Sequence, residues 1–183
     1  MYAATLLETL SKGWPNVQVS CYGNPDHYED LVWSAGDAIP PEADIRARAV
    51  EFAKLEQIEF LSNECQKDIT SGFESSTLGT PHIYDSEEVD QLNLIGAYTT
   101  VLGIPSEDPE GYSIPYACRP IIDGVIQPKV YKPHSRNAFA RAMVDGSQVK
   151  LAKLQKFNYK RNWINNNAVT VEDIHAVTWA SVE

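Results

Sequence analysis

The chain has 183 residues, 43% of them hydrophobic and 22% charged, and a formal net charge of −10. That length suits one compact domain, or a short lead-in and one domain, able to bury a core without metal or disulfide. The hydrophobic content excludes a disordered chain, and the acidic balance argues against nucleic acid or an anionic membrane as the main partner.

The charge is unevenly spread. Residues 1–120 are strongly acidic, whereas 121–183 are net basic, with the excess gathered between Lys150 and Arg161. Such a split marks either two differently solvated faces or two ends that meet differently charged neighbours. Cys21, Cys65 and Cys118 are far apart, odd in number and free of any Cys-x-x-Cys spacing, so neither a zinc knuckle nor a redox motif is indicated. They are expected as reduced, buried thiols of a soluble product made in the cytosol. The first residues lack the basic and long apolar regions of a signal peptide, and no apolar run is long enough for membrane insertion.

In chain order, Met1 to Leu10 reads as a first helix or an ordered arm, ended by Gly13 and Pro15. Val17 to Tyr22 and Tyr28 to Trp33 predict a small hairpin around Gly23-Asn24-Pro25-Asp26, with Val17, Val19, Leu31 and Trp33 on its apolar face. Residues 1–40 therefore form an N-terminal lead-in, and 41–183 a helical, mixed domain. Pro40 and Pro41, with Glu42 and Asp44, open a helix from Ala43 to about Ile69. Its apolar stripe is expected at Ile45, Ala49, Phe52, Leu55, Ile58, Ser62, Cys65 and Ile69. At roughly 40 Å it can span the module or pair with a copy of itself.

Gly72 to Tyr84 predicts two short strands joined by Ser75-Ser76-Thr77. Asp85 is the expected cap, with Glu88 its capping-box partner, of a helix through Val101 that turns Val89, Leu92, Ile95 and Gly96 inward; Gly103 supplies a left-handed end. Ile104 to Pro120 reads as a tethered loop pinned by Tyr112, Tyr116 and Cys118. Asp123-Gly124 starts a strand from Val125 to Tyr131. A helix capped near Ser135 carries Phe139, Ala142 and Met143, continues or kinks at Gly146, and runs on through Leu151, Leu154, Phe157 and Ile164 to Asn165-Asn166-Asn167. Thr170 to Asp173 caps a terminal helix anchored by Ile174, Val177 and Trp179. The expected fold class is α+β, mostly helical, with a long central helix and small β-hairpins.

Nucleophile-elbow, P-loop, dinucleotide-binding and His-Glu-x-x-His patterns are absent, so no catalytic residue, no cofactor-binding residue and no metal ligand is assigned. His27, His82, His134 and His175 are widely separated. His82 and His134 each follow a proline, in Thr80-Pro81-His82 and Lys132-Pro133-His134. The expectation is that proline fixes the approach while each imidazole bonds to backbone across its turn. Glu107, Asp108 and Glu110 lie in a proline-containing loop and do not define the facing carboxylates a glycosidase needs.

The run Ile69-Thr70-Ser71-Gly72-Phe73-Glu74-Ser75-Ser76-Thr77-Leu78-Gly79-Thr80-Pro81-His82-Ile83-Tyr84 resembles a phage and prophage domain of unassigned function found in tail-fibre-related and small tail proteins. Further matching segments follow in order: Asp90-Gln91-Leu92-Asn93-Leu94-Ile95, Tyr131-Lys132-Pro133-His134-Ser135, Met143-Val144-Asp145-Gly146, Thr170-Val171-Glu172-Asp173-Ile174 and Trp179. The resemblance covers roughly 58–180. Pro105 to Gly111 and Arg119 to Pro128 depart from the commoner middle region, while Trp14-Pro15, Gly23-Asn24-Pro25 and Tyr28 to Trp33 look like a lead-in of other small phage tail genes. What it implies is a non-enzymatic accessory tail protein, made in the host cytoplasm and carried in the virion tail. Its partners would be other phage tail, fibre or baseplate proteins, together with self-association. The alternatives are a tail-fibre assembly chaperone, absent from the particle, and a receptor- or glycan-binding module using Trp14, Tyr112 and Tyr116.

Overall fold

The computed structural model describes residues 5–34, 38–104 and 112–181. It is a mixed α+β fold, mostly helical, with a long central helix and small antiparallel sheets. The chain divides into two compact units, Met1–Asn63 with Phe157–Glu183, and Glu64–Lys156.

The first unit opens with α1 (Leu6–Gly13), started by a capping box in which Thr5 Oγ1 accepts from the Glu8 N–H and the Glu8 carboxylate accepts from the Thr5 N–H. A two-stranded hairpin follows, β1 (Val19–Cys21) against β2 (Leu31–Trp33), in register Val19↔Trp33 and Cys21↔Leu31. The predicted return strand begins late because Tyr28–Asp30 coil into one 3-10 turn. Leu6, Leu10, Leu31 and Ile45 close one core here, with Trp14, Val19 and Trp33 packed on it. A second core joins Ala53 and Leu61 to Ile164, Ala168 and Ile174, and Trp179 packs against it.

The central helix α2 runs Glu42–Thr70. Its buried residues are Ile45, Ala49, Ala53, Gln57, Leu61, Cys65 and Ile69, every fourth residue without exception. At 3.6 residues per turn each step of four advances roughly 40° around the axis, so the buried line winds about the helix rather than following one side. This corrects the expected stripe: Leu55 is 66% exposed and Ser62 is exposed, because a straight 3-4 pattern leaves the true line midway along the helix. Gln57 is tolerated on that line because its Nε2 donates to the Val177 carbonyl at 2.7 Å.

In the second unit, β3 (Phe73–Ser75) pairs with β4 (His82–Tyr84), and β4 with β5 (Ser113–Ile122). Between them lies α3 (Glu88–Leu102). The strand β5 returns through Asp123 (φ 51°) and Gly124 (φ 77°), both left-handed as a two-residue hairpin turn requires, into β6 (Val125–Ile126) and β7 (Val130–Ser135). Pairing shifts by one residue between Ile121↔Ile126 and Cys118↔Val130, the mark of a bulge in the returning arm. Residues 113–120, expected as loop, are therefore strand. Pro115 faces Pro133, and alternate pairs in an antiparallel ladder exchange no hydrogen bonds, so two residues without N–H can share such a site. Pro105, Glu107, Asp108, Pro109, Glu110 and Gly111 lie outside the described residues.

Three details of α3 also differ from expectation. Its N-cap is Glu87, without a side-chain cap bond, because Asp85 is drawn to Arg119 (3.2 Å) and to Lys129. Gly103 is right-handed (φ −73°), and the terminal carbonyls of Val101, Leu102 and Ile104 are met instead by the Arg136 guanidinium at 3.0–3.3 Å. Its inward residues are Leu94 and Val101, with Ala97 and Tyr98 packed beside them; Val89, Leu92, Ile95 and Gly96 face outward.

The helix α4 (Arg136–Asn167) continues through Gly146 without a break, and Ser135 Oγ accepts from the Ala138 N–H at its start. A Cβ on Gly146 would lie 2.9 Å from the Phe73 ring, so glycine here permits a close approach. Leu151 and Leu154 are exposed, not in the expected stripe. The chain ends in α5 (Val171–Ala176), opened by a Thr170–Asp173 capping box as its sequence predicts.

Candidate functional site

The proline-histidine turns meet in the second unit. His82 Nδ1 lies 2.7 Å from the Thr80 carbonyl, and His134 Nδ1 lies 2.8 Å from the Lys132 carbonyl. A carbonyl only accepts, so in both rings Nδ1 carries the proton. His134 Nε2 is then an acceptor, and the Tyr84 hydroxyl donates to it at 2.7 Å. Around this pair Phe73, Tyr84, Tyr116, His134 and Phe139 make stacked and edge-to-face contacts with ring centres 5.1–6.4 Å apart. Burial, with the neighbouring His82 ring, pushes His134 below the ordinary imidazole range despite its bond to Lys132. Burial likewise pushes Tyr84 up strongly and Tyr116 to about 12. The group is a satisfied polar core: both nitrogens of His134 are engaged within the protein, and the ring is wholly buried.

The remaining histidines are elsewhere. His27 is exposed beside Glu29 and Asp30, and His175 is half-buried on α5. Among the described residues no three His, Cys, Asp or Glu side chains come together in a way that could hold a metal ion. No helix among them is long and apolar enough to cross a membrane. Cys65 and Cys118 are buried free thiols, while Cys21 is half-buried and also free.

Two concavities open in the second unit. One, of about 220 Å³, is walled by Phe73, Leu94, Ile95, Met143 and Val149, with Gln91 and Lys150 at 3.4 Å from each other on its rim. The other, of about 370 Å³, is polar and lies beside the start of α4. There Asp145 accepts from Ser75 Oγ at 2.6 Å and pairs with Arg141 at 3.0 Å, so its charges are already matched. The lining there also includes the hydroxyls of Ser76, Thr77 and Ser135.

The surface is more distinctive. Val89, Leu92, Ile95 and Leu102 are 46–68% exposed along the outer side of α3. Ile122, Val125 and Ile126, 54–60% exposed, crowd the end of the β5–β6 hairpin, and Tyr131 on β7 is 74% exposed. Sequence periodicity placed the α3 group inside because that helix is apolar on both sides; its lack of charge beyond the first turn is the signal that two faces compete for burial. Of the aromatic residues expected at a glycan surface, Trp14 and Tyr116 pack onto cores, Tyr116 donating to the Asp90 carbonyl, and only Tyr112 is exposed. No family model, curated protein or solved structure matches the chain.

Proposed function

We propose that the chain is a structural component of a bacteriophage tail, fibre or baseplate joint, held by contacts with more than one neighbour. The observation that carries this reading is the pair of exposed apolar surfaces on the second unit, the outer side of α3 and the end of the β5–β6 hairpin, on a body whose core is already closed. A free-standing globule keeps such patches small, whereas a part seated between neighbours covers them on assembly.

The ordered motifs that resemble phage tail-associated proteins lend support. Phe73, Tyr84, Leu94 and His134, from three separate motifs, pack in the second unit's core, and Gly146 from a fourth admits the Phe73 ring. These residues act as a fold signature, which suits a rigid module more than a reacting site. On this reading the chain catalyses no turnover, needs no cofactor, and resides in the virion tail after synthesis in the host cytoplasm.

Deleting the gene from a producing phage should leave filled heads while tails or fibres are missing or detached, and supplying the protein in trans should restore them. Normal infectious particles from the deletion would contradict the proposal.

A further inference from the structure

The outer side of α3 has an internal symmetry. Its exposed residues include Glu88, Asn93 and Thr100, and among them Val89, Leu92, Ile95, Gly96, Thr99 and Leu102 have a spacing that reads the same from either end of the helix about a point between Ile95 and Gly96. Apolar Val89 is mirrored by Leu102, Leu92 by Thr99, and the bulk of Ile95 by the absent side chain of Gly96. Val89 and Gly96, Leu92 and Thr99, and Ile95 and Leu102 are each one heptad apart, the repeat of a coiled coil.

Gly96 makes the pattern more than a coincidence of apolar residues. Glycine within a helix is less stable than alanine, because it gives up more backbone freedom on folding. Among the described residues a Cβ added there would meet nothing within 4 Å, and the residue keeps helical backbone, so none of them calls for glycine. A second helix crossing at this point would.

We propose that α3 pairs antiparallel with α3 of a second copy, about a two-fold axis between Ile95 and Gly96. In that pairing Val89 meets Leu102 of the partner subunit, Leu92 meets the partner's Thr99, and Ile95 fills the space over the partner's Gly96. Every contact occurs twice, as a two-fold interface demands. Charge fits as well. The helix has no basic residue, its acidic residues are confined to the first turn, and exposed Glu88 of one copy arrives beside the other copy's helix end, where a guanidinium already sits on the last carbonyls. The helix dipoles also oppose each other favourably. This pairing holds whether or not the chain belongs to a tail.

Sedimentation equilibrium of the full chain from micromolar to millimolar concentration tests it. The wild type should pass from monomer to dimer. Leu92→Glu should weaken association by at least about tenfold with an unchanged circular dichroism spectrum. Gly96→Leu should do the same while leaving the melting temperature of the dilute protein unchanged or higher, which separates loss of pairing from loss of folding. In a Cys21→Ser background, mixed Leu92→Cys and Thr99→Cys proteins should form a disulfide with each other, while Leu92→Cys alone stays reduced. A wild type that remains monomeric throughout, a dimer unaffected by both surface substitutions, or self-linking of Leu92→Cys would each overturn the pairing.

Discussion

His134 donates through Nδ1 to its own strand and accepts the Tyr84 hydroxyl at Nε2, so one proton has a fixed place in a closed space. Tyr84→Phe leaves that nitrogen buried with no donor and should cost about 1–3 kcal/mol, measured by denaturant unfolding. The same burial sets a pH dependence. The folded ring stays neutral at a pH where the unfolded ring, with its ordinary value near 6.5, gains a proton. Stability from this group is therefore fully present above about 6.5 and is lost as pH falls toward the depressed folded value. His134→Gln should be less stable than wild type at neutral pH, and the gap in melting temperature should narrow as the solution is acidified. A gap that widens would mean the ring is charged in the fold. Cysteine chemistry is as local: burial pushes both Cys65 and Cys118 thiols up, so a thiol reagent should label Cys21 in the folded protein and the other two only after unfolding.

Among the elements, α2 shows how a helix can be legible while its buried face is not. Its limits, Glu42–Thr70, fall within a residue of those that proline, acidic and apolar signals predict. A strict fourfold repeat drifts around the helix, so a 3-4 stripe picks out Leu55 and Ser62 where the buried line takes Ala53, Gln57 and Leu61. Leu61→Ala should cost about 2–5 kcal/mol and Leu55→Ala less than about 0.5 kcal/mol; equal losses would contradict the winding line. Two glycines form a similar contrast. Gly146→Ala drives a methyl into the Phe73 ring and should give a net loss of about 1 kcal/mol, relieved by Phe73→Leu. Gly96→Ala meets nothing among the described residues and should stabilise the dilute protein by about 0.5–1 kcal/mol. The hairpin turns, the start of α4 and the Thr170 cap were readable because their signals are local. The strand β5 was not, since its prolines are tolerated only by a pairing partner far along the chain.

At the scale of the whole molecule, the two units differ in how their chain segments are gathered. The first joins residues from both ends of the sequence, and its closing segment is tied down by Gln57 to Val177, by Lys160 to Ser181 at 2.7 Å, and by Trp179 against the core. Trp179→Ala should therefore lower stability by about 1–2 kcal/mol, with hydrogen exchange rising first in Val171–Ala176 and the neighbouring end of α4. Sequence signals foretold the helix and its anchors, but not that a terminal segment would close a core begun at residue 50. The histidine turns are legible because the proline before each ring fixes its own φ and restricts the residue ahead of it, whose carbonyl the imidazole meets; the outward side of α3 is not, because composition alone cannot say which of two apolar faces the core takes.

A joint between tail parts requires the protein to stay in the finished particle, and peptide counting on gradient-purified particles measures that directly. The proposed role predicts a fixed number of copies per tail, even in number if α3 pairs with itself, and unchanged by further purification. Absence from particles, together with misfolded fibres when the gene is deleted, would contradict it and assign the chain to fibre assembly instead.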